Sequence, residues 1–471
     1  MRKFQGSSKA ILGGDAVVIG AGVSGLLAAR VLSDCFGRVT VLDRDRLEDG
    51  PEPRKGVPQG RHLHSLAVRG SELLEGFFPG LDQELAVAGC PDVDQAGDTV
   101  TDVPSGRLPR FRSGVVMRAV SRDLLEWRIR RRLLSNPKVR FVPRREVTSL
   151  LQDKTSGRIA GVSTRLRGGD GAEDFVADLV VDASGQGSRM PRWLKELGIE
   201  APRETVVDAG LGYATRWYRV PEGFDGGWKS LAVLPQWPEA PRGGSLRRVE
   251  GDRWTAVLIG IGEDHQPPND DGAFLNFARS LPSPTIAAAL ENAEPISPAY
   301  GYRRTANRRR HYNSLHAMPE NLLVIGDAAC VMNPSYGQGM TLAALSAQAL
   351  EKSLRRKRGL TGLAAEFHKR QKKAVAPSWT TSAGSDAQWS AAGLEELGSP
   401  QRLAHRISEE VFRMAVGDRE VTRTLLEVKN LVKPPRALLR PGILFPALRR
   451  TLARMWHPKS PGTASHAKST P

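Results

Sequence analysis

One stretch constrains this chain more than any other: residues 15–43, DAVVIGAGVSGLLAARVLSDCFGRVTVLD. Val17, Val18 and Ile19 form the short apolar run expected of a buried parallel strand. Gly20-Ala21-Gly22-Val23-Ser24-Gly25 follows at once as G-x-G-x-x-G. Gly20 permits a tight turn, Gly22 lets the backbone approach a pyrophosphate, and Gly25 lets the next helix pack close to the strand. That helix, continued by Leu26, Leu27, Ala28, Ala29 and Val31, directs free N–H groups and its positive dipole end at phosphate. Residues 39–42 make a second apolar strand ending at Asp43, whose carboxylate can accept the ribose hydroxyls of an adenosine. Strand, turn, helix and acid in register predict a Rossmann-like α/β domain that binds a dinucleotide. The alternative is a glycine-rich turn in an unrelated α/β domain.

Arg44 opens a segment that becomes RKGVPQGRHLHSL at residues 54–66. Gly56, Pro58 and Gly60 mark it as a loop, and Arg54, Lys55 and Arg61 make it electropositive beside the expected pyrophosphate. His62 and His64 have the spacing to share one face of a strand, but no third ligand for a metal accompanies them. A wall of the active site or ordinary structural hydrogen bonding is the simpler role. Residues 67–109 read as an excursion from the Rossmann core, with one helical pattern at 71–78. Ser121 looks like an N-cap with Asp123 in the first turn, and Leu125, Ile129 and Leu133 give the next helix an apolar stripe. Arg122 then points from that helix's amino end. Residues 139–142, 146–151, 161–167 and 177–181 read as strands, the last running into Asp182-Ala183-Ser184-Gly185.

From residue 206 to 261 the pattern changes to period two, with strands joined across Gly251-Asp252, which predicts an antiparallel sheet in a separate domain. Its Trp and Tyr content suits an apolar pocket wall. Residues 321–345, NLLVIGDAACVMNPSYGQGMTLAAL, form the second informative stretch. A buried strand runs into Gly326-Asp327, and Pro334, Gly337 and Gly339 form a turn that opens a helix at Met340. Asp327 is placed to accept a hydroxyl from a sugar or ribityl chain. The backbone N–H groups of residues 337–340 can stabilise negative charge on a bound ring.

The formal net charge of +17 is unusual for an enzyme, and much of it lies at the end of the chain. Residues 428–471 contain no acid, while Lys429, Lys433, Arg436, Arg440, Arg449, Arg450, Arg454, Lys459 and Lys468 are all basic. Leu448, Leu452, Met455 and Trp456 recur at helical spacing opposite Arg449, Arg450 and Arg454. This is the pattern of a helix on an anionic membrane surface, or of a terminal helix docked on its own core with a solvated basic face; the second is preferred. A second basic cluster, Arg303, Arg304 and residues 308–310, lacks the interleaved aromatics of a nucleic-acid reader, so no nucleic-acid partner is expected. Cys35, Cys90 and Cys330 lack C-x-x-C spacing, which argues against a disulfide framework or a zinc site. No apolar stretch is long enough to span a bilayer, and the opening MRKFQGSSKA lacks a signal-peptide core, so a cytoplasmic protein is expected.

Three separated motifs, in order over residues 13–355, resemble those of flavoprotein monooxygenases of the aromatic hydroxylase and squalene epoxidase type. GAGVSG with Asp43 resembles their FAD adenosine site, Arg122 in VSRDLLEWRI their pyrophosphate-contacting arginine, and GDAACVMNPSYGQGM their GD motif. Val147 falls where that family contacts adenine through backbone. The resemblance implies FAD, held by Gly20, Gly22, Gly25, Asp43, Arg44, Arg54, Lys55, Arg122, Val147, Asp327, Pro334, Gly337, Gln338, Gly339 and Met340. It implies a discontinuous FAD domain (13–66, 111–195 and 311–355) and an inserted antiparallel substrate domain (67–110 and 196–310). A helical C-terminal region with a basic tail (356–471) completes it. In that family a flavin C4a-hydroperoxide, formed with molecular oxygen, epoxidises or hydroxylates an apolar small-molecule substrate, and no protein nucleophile is required.

The departures bear on function. Ser184-Gly185 stands where those hydroxylases carry Asp-Gly, so the electrons come from NADPH or from a partner flavin reductase. The same DASG sequence occurs in flavin-dependent halogenases, but the W-x-W-x-I-P stretch of halogenases is absent. RKGVPQGRHLH with NPSYGQGM is most similar to bacterial flavin epoxidases acting on polyketide polyenes in polyether biosynthesis. A flavin-dependent reductase of isoprenoid double bonds and an FAD-retaining membrane-surface protein without redox function are the other readings.

Overall fold

The fingerprint stretch folds into the strand Gly13–Ile19, the helix Val23–Leu32 and the strand Phe36–Leu42, parallel to the first. Gly20 sits at φ 102°, and a Cβ there would stand 2.7 Å from the Ala183 carbonyl oxygen. A Cβ on Gly25 would stand 1.8 Å from the Gly20 carbonyl oxygen. Only glycine at these two positions lets the helix lie this close to the turn.

The computed structural model describes residues 11–357, 359–389 and 399–456. It places Gly13–Ile19 at the centre of a five-stranded, wholly parallel sheet in the order Leu322–Val324, Leu179–Asp182, Gly13–Ile19, Phe36–Leu42, Val139–Val142. Both faces are covered, which is why these strands read as unbroken apolar runs. Leu26, Leu27, Ala344 and Leu350, from the helices Val23–Leu32 and Gly339–Lys357, pack on one face. Leu150, Val162, Trp193 and Tyr312 pack on the other.

The second sheet runs in the order Tyr300–Tyr302, Leu211–Arg219, Arg253–Ile261, Arg242–Val249, Ser230–Val233, Thr99–Val103, Gly106–Arg107. It is antiparallel as its period-two pattern predicts, except that Ser230–Val233 runs parallel to Thr99–Val103. Those two strands belong to separate stretches of chain, and no hairpin links them to impose antiparallel pairing. In the hairpin turn, Gly251 and Asp252 both take positive φ, 70° and 48°, which matches the right-handed twist of the flanking strands. One face of this sheet, including Leu246, Trp254 and Leu258, is packed by the helices Asp271–Arg279 and Thr285–Leu290. The alternate residues Leu211, Tyr213, Arg247, Val257 and Ile259 face a cavity instead.

Two arginines of the cluster are engaged internally: Arg310 pairs with Glu204 at 2.7 Å, and Arg303 donates to the carbonyl oxygens of Tyr213 and Pro267. The chain continues through the helices Leu363–Ala387, Ser399–Gly417, Arg419–Lys429 and Pro441–Trp456. The terminal helix does dock, but through Ile443, Ala447 and Thr451 rather than the expected stripe; Leu452 and Met455 are exposed. The short Ala447 and Thr451 side chains permit the close approach that the bulky stripe would prevent. Lys459 and Lys468 lie outside the described residues. Among the described residues no helix is long and apolar enough to cross a membrane.

Candidate functional site

A cavity of about 1310 Å³ lies between the parallel sheet, the second sheet and the C-terminal helices. Gly20, Gly22, Asp43, Arg44, Arg54, Arg122 and Val147 line it, and so do Asp327, Pro334, Gly337, Gln338, Gly339 and Met340. Of the candidate cofactor residues, Gly25 is buried in helix packing, and Lys55 is exposed and lies outside the lining. Lys55 thus departs from its expected place: in the turn after Arg54 its neighbour faces inward while its own side chain meets solvent.

Gly22 caps the helix Val23–Leu32 without any side-chain hydrogen bond, leaving first-turn N–H groups free for an anion. A Cβ on Gly22 would stand 3.7 Å from Arg122 Nη2, so the guanidinium faces this turn. Arg122 is carried there by the helix Arg122–Leu134, capped by Ser121 Oγ accepting from the Leu124 N–H. Glu126, one turn on, holds Arg122 Nε at 3.3 Å through one oxygen and Arg54 Nε at 3.3 Å through the other. Arg54 Nη1 in turn lies 3.5 Å from Asp43. The Asp43 carboxylate accepts from the backbone N–H groups of Ala21 (2.7 Å) and Asp45 (2.8 Å), which fixes it at the strand end. Arg54 Nε is buried without a hydrogen bond.

The second glycine turn is built from Gly326, at φ 64°, and from Pro334–Tyr336 leading into Gly337 at φ 66°. Burial pushes the Asp327 carboxyl up, and the Arg122 guanidinium draws it part of the way back. Asp386, on the helix Leu363–Ala387, braces the turn by accepting from Asn333 Nδ2 (2.8 Å) and the Tyr336 hydroxyl (2.8 Å). His62 and His64 lie in a loop after the short turn Pro58–Arg61 rather than on a strand, because Pro58 and Gly60 interrupt extended pairing. His62 Nδ1 is 2.9 Å from Thr215 Oγ1, and His64 Nε2 is 2.7 Å from the Gln59 carbonyl oxygen. Burial lowers His62 to about 4 and His64 to about 3. Among the described residues no three His, Cys, Asp or Glu side chains cluster as a metal site.

A free helix terminus facing a guanidinium, an acid at the second strand's end and a glycine turn opening another helix fit the phosphates, ribose and ring of FAD. The fold and this geometry define a flavoprotein with a Rossmann-like parallel sheet and a second sheet across the cavity. The chain belongs to the FAD binding domain family (FAD_binding_3), whose model matches residues 14–366. It is 35% identical over 413 residues to Protein Rv3254 of Mycobacterium tuberculosis (strain ATCC 25618 / H37Rv), covering 86% of each chain. It is 27% identical over 344 residues to kynurenine 3-monooxygenase of Salinispora arenicola (strain CNS-205), covering 69% of each. The flavin-dependent brominase Bmp2 shares the fold, with a TM-score of 0.64 at 14% identity over 95% of this chain and 100% of that one. The protein is therefore an FAD-binding oxidoreductase.

Sequence reading missed Glu126, Tyr302, Arg247 and Lys429. Glu126 had a signal, its i,i+4 position after Arg122 on a helix with an apolar stripe. Tyr302 stacks on Tyr213 with centroids 5.2 Å apart and reaches Gln186 of the loop after Asp182. Tyr302 and Arg247 sat in stretches whose local pattern says only strand. Lys429 read as part of the basic tail, yet its side chain lines the cavity.

Proposed function

We propose that this protein is an FAD-dependent monooxygenase that epoxidises or hydroxylates an apolar secondary-metabolite substrate: a polyene polyketide, a terpenoid or an aromatic. The observation that carries this is the continuity of the cavity, from Arg122 and Asp327 into a chamber walled by Leu63, Leu108, Val257, Ile259, Leu425 and Leu438. FAD, when bound, supplies two-electron chemistry and oxygen activation that side chains lack. The chain's task is then to bind, orient and exclude water. The Gly337 N–H is spent on the Pro334 carbonyl oxygen at 2.9 Å, so the backbone N–H groups of residues 338–340 are the ones that would favour negative charge on a bound ring, and the stacked Tyr213 and Tyr302 line the same cavity. Leu425, Leu426 and Leu438 of the C-terminal region supply one apolar wall of the chamber. The 27% identity to a kynurenine 3-monooxygenase supports oxygen insertion. RKGVPQGRHLH and NPSYGQGM are the residues that favour a polyene.

One oxygen atom enters the product and the other leaves as water, with two electrons drawn from NADPH or a partner flavin reductase. At Ser184 the hydroxyl and backbone N–H both bind Asp182 Oδ1, at 2.5 and 2.9 Å, so the residue replacing the hydroxylases' Asp turns back on its own loop. This supports reduction by a partner. The test is turnover of candidate polyenes and aromatics by holoenzyme under ¹⁸O₂, with NADPH alone and with an added flavin reductase. A product heavier by one ¹⁸O is expected; alkene saturation without oxygen uptake, or a halogenated product when bromide is added, would overturn the reading.

A further inference from the structure

We infer that Arg247 and Lys429 form a subsite for an anionic group, such as a carboxylate, at one end of an otherwise apolar substrate. This rests on the proposed substrate-binding role of the cavity and extends it to the substrate's charge. Arg247, on the strand Arg242–Val249, donates through Nη1 to Ser65 Oγ (2.7 Å) and, more weakly, to the His64 carbonyl oxygen (3.4 Å). Its Nε is buried without a hydrogen bond. Lys429 ends the helix Arg419–Lys429, its own carbonyl accepts from Gln338 Nε2 at 3.4 Å, and the surface of its side chain is cavity wall. Burial lowers Arg247 to about 10, and desolvation within the cavity together with the field of Arg247 lowers Lys429, although its side chain is exposed there.

Both residues flank the same glycine turn. Ser65, which holds Arg247, has its Cβ 3.0 Å from where a Cβ on Gly337 would stand, and Gln338 touches the backbone carbonyl of Lys429. Neither forms an ion pair among the described residues, whereas Arg54 and Arg122 of the same cavity both pair with Glu126. The acids lining the cavity are already engaged. Asp43 faces Arg54, Asp45 faces Arg167, Glu146 faces Arg165 and Arg189, and Asp386 holds Asn333 and Tyr336. Asp327 is drawn on by Arg122. Arg247, half-buried with its Nε unpartnered, and Lys429, exposed to the cavity, repel each other with no counter-charge between them, and a ligand that brings the negative charge relieves that repulsion. Val257, Leu425 and Leu426 line the same cavity, so the complementary molecule is amphiphilic.

The experiment is equilibrium binding to FAD-loaded protein of cis-parinaric acid, a fluorescent tetraene carboxylate, and of its methyl ester. A charge-assisted contact predicts that the acid binds about 10-fold more tightly than the ester. Lys429→Met and Arg247→Gln should each erase that preference, and Arg247→Lys should restore part of it, with FAD content checked in every variant. If Arg247→Gln fails to retain FAD, Lys429→Met carries the test alone. Equal affinity for acid and ester, no binding of the acid, or a preference unchanged in Lys429→Met overturns the proposal. The rival role for these cations is to hold charge on the reduced ring. A midpoint potential that shifts in ligand-free Lys429→Met while the acid preference persists establishes that role instead. Binding needs no turnover, so an acid preference without ¹⁸O incorporation would sink the oxygenase reading and leave the subsite standing.

Discussion

Asp123 occupies the first turn of the helix Arg122–Leu134, where a carboxylate ordinarily gains from the helix dipole. Here burial, with Glu126 beside it, pushes its pKa up to about 6 despite Arg122 and Arg54. An unfolded chain ionises the same group near pH ~3.9. Below that pH Asp123 is neutral in both states and contributes nothing. Between about 4 and 6 the unfolded chain ionises first and is favoured, and above about 6 the destabilisation is complete, at about 2–3 kcal/mol. Asp123→Asn should therefore gain thermal stability over the parent progressively from pH 4 to 6 and hold a constant gain above it, measured on FAD-free protein by calorimetry. A difference that does not vary with pH would show that Asp123 titrates normally. The elevated carboxyl was not legible in the sequence, since Ser-Arg-Asp reads there as an ordinary capped helix start. Its first cause is burial under the remote loop of Gly60, where a Cβ would stand 3.0 Å from Asp123 Oδ1, with Glu126 adding to it.

The turn between the first strand and the helix Val23–Leu32 was legible almost atom by atom, because the constraint is local: the carbonyl oxygen of Gly20 leaves no room for a Cβ on Gly25. Gly25→Ala should push the helix off the strand, cost about 1–3 kcal/mol and lower FAD retention, read as the ratio of flavin to protein absorbance. Unchanged retention and stability would mean that the helix slides freely. The same reasoning failed for the terminal helix Pro441–Trp456. There an apolar spacing named Leu448, Leu452 and Met455, whereas the fold uses the row Ile443, Ala447, Thr451. Helical period alone does not choose between two adjacent rows, since the partner surface on Ser399–Gly417 lies far off in sequence. The parallel pairing of Ser230–Val233 with Thr99–Val103 was hidden for a similar reason, as its partners are separated by the whole helix Arg122–Leu134 and the hairpins that follow.

Across the molecule, Asn430 ties the C-terminal helices to the FAD-binding part. Its Oδ1 accepts from the Val68 N–H at 3.3 Å and its carbonyl from the Arg69 N–H at 3.2 Å, at the start of the helix Val68–Phe77. Asn430→Ala should cost about 1–2 kcal/mol and speed hydrogen exchange over residues 419–430 while leaving residues 23–32 unchanged. Equal acceleration in both segments would show that the C-terminal helices and the nucleotide turn open as one unit. A different consequence follows from the strand order of the parallel sheet. The ribosome delivers the central strand, Gly13–Ile19, first and the edge strand, Leu322–Val324, only after the entire second sheet has been made. Until then Leu179–Asp182, apolar and destined to be buried on both faces, waits with one edge unpaired, the kind of edge that recruits foreign strands. Birth of this protein is thus a race between translation of the inserted sheet and aggregation at that open edge.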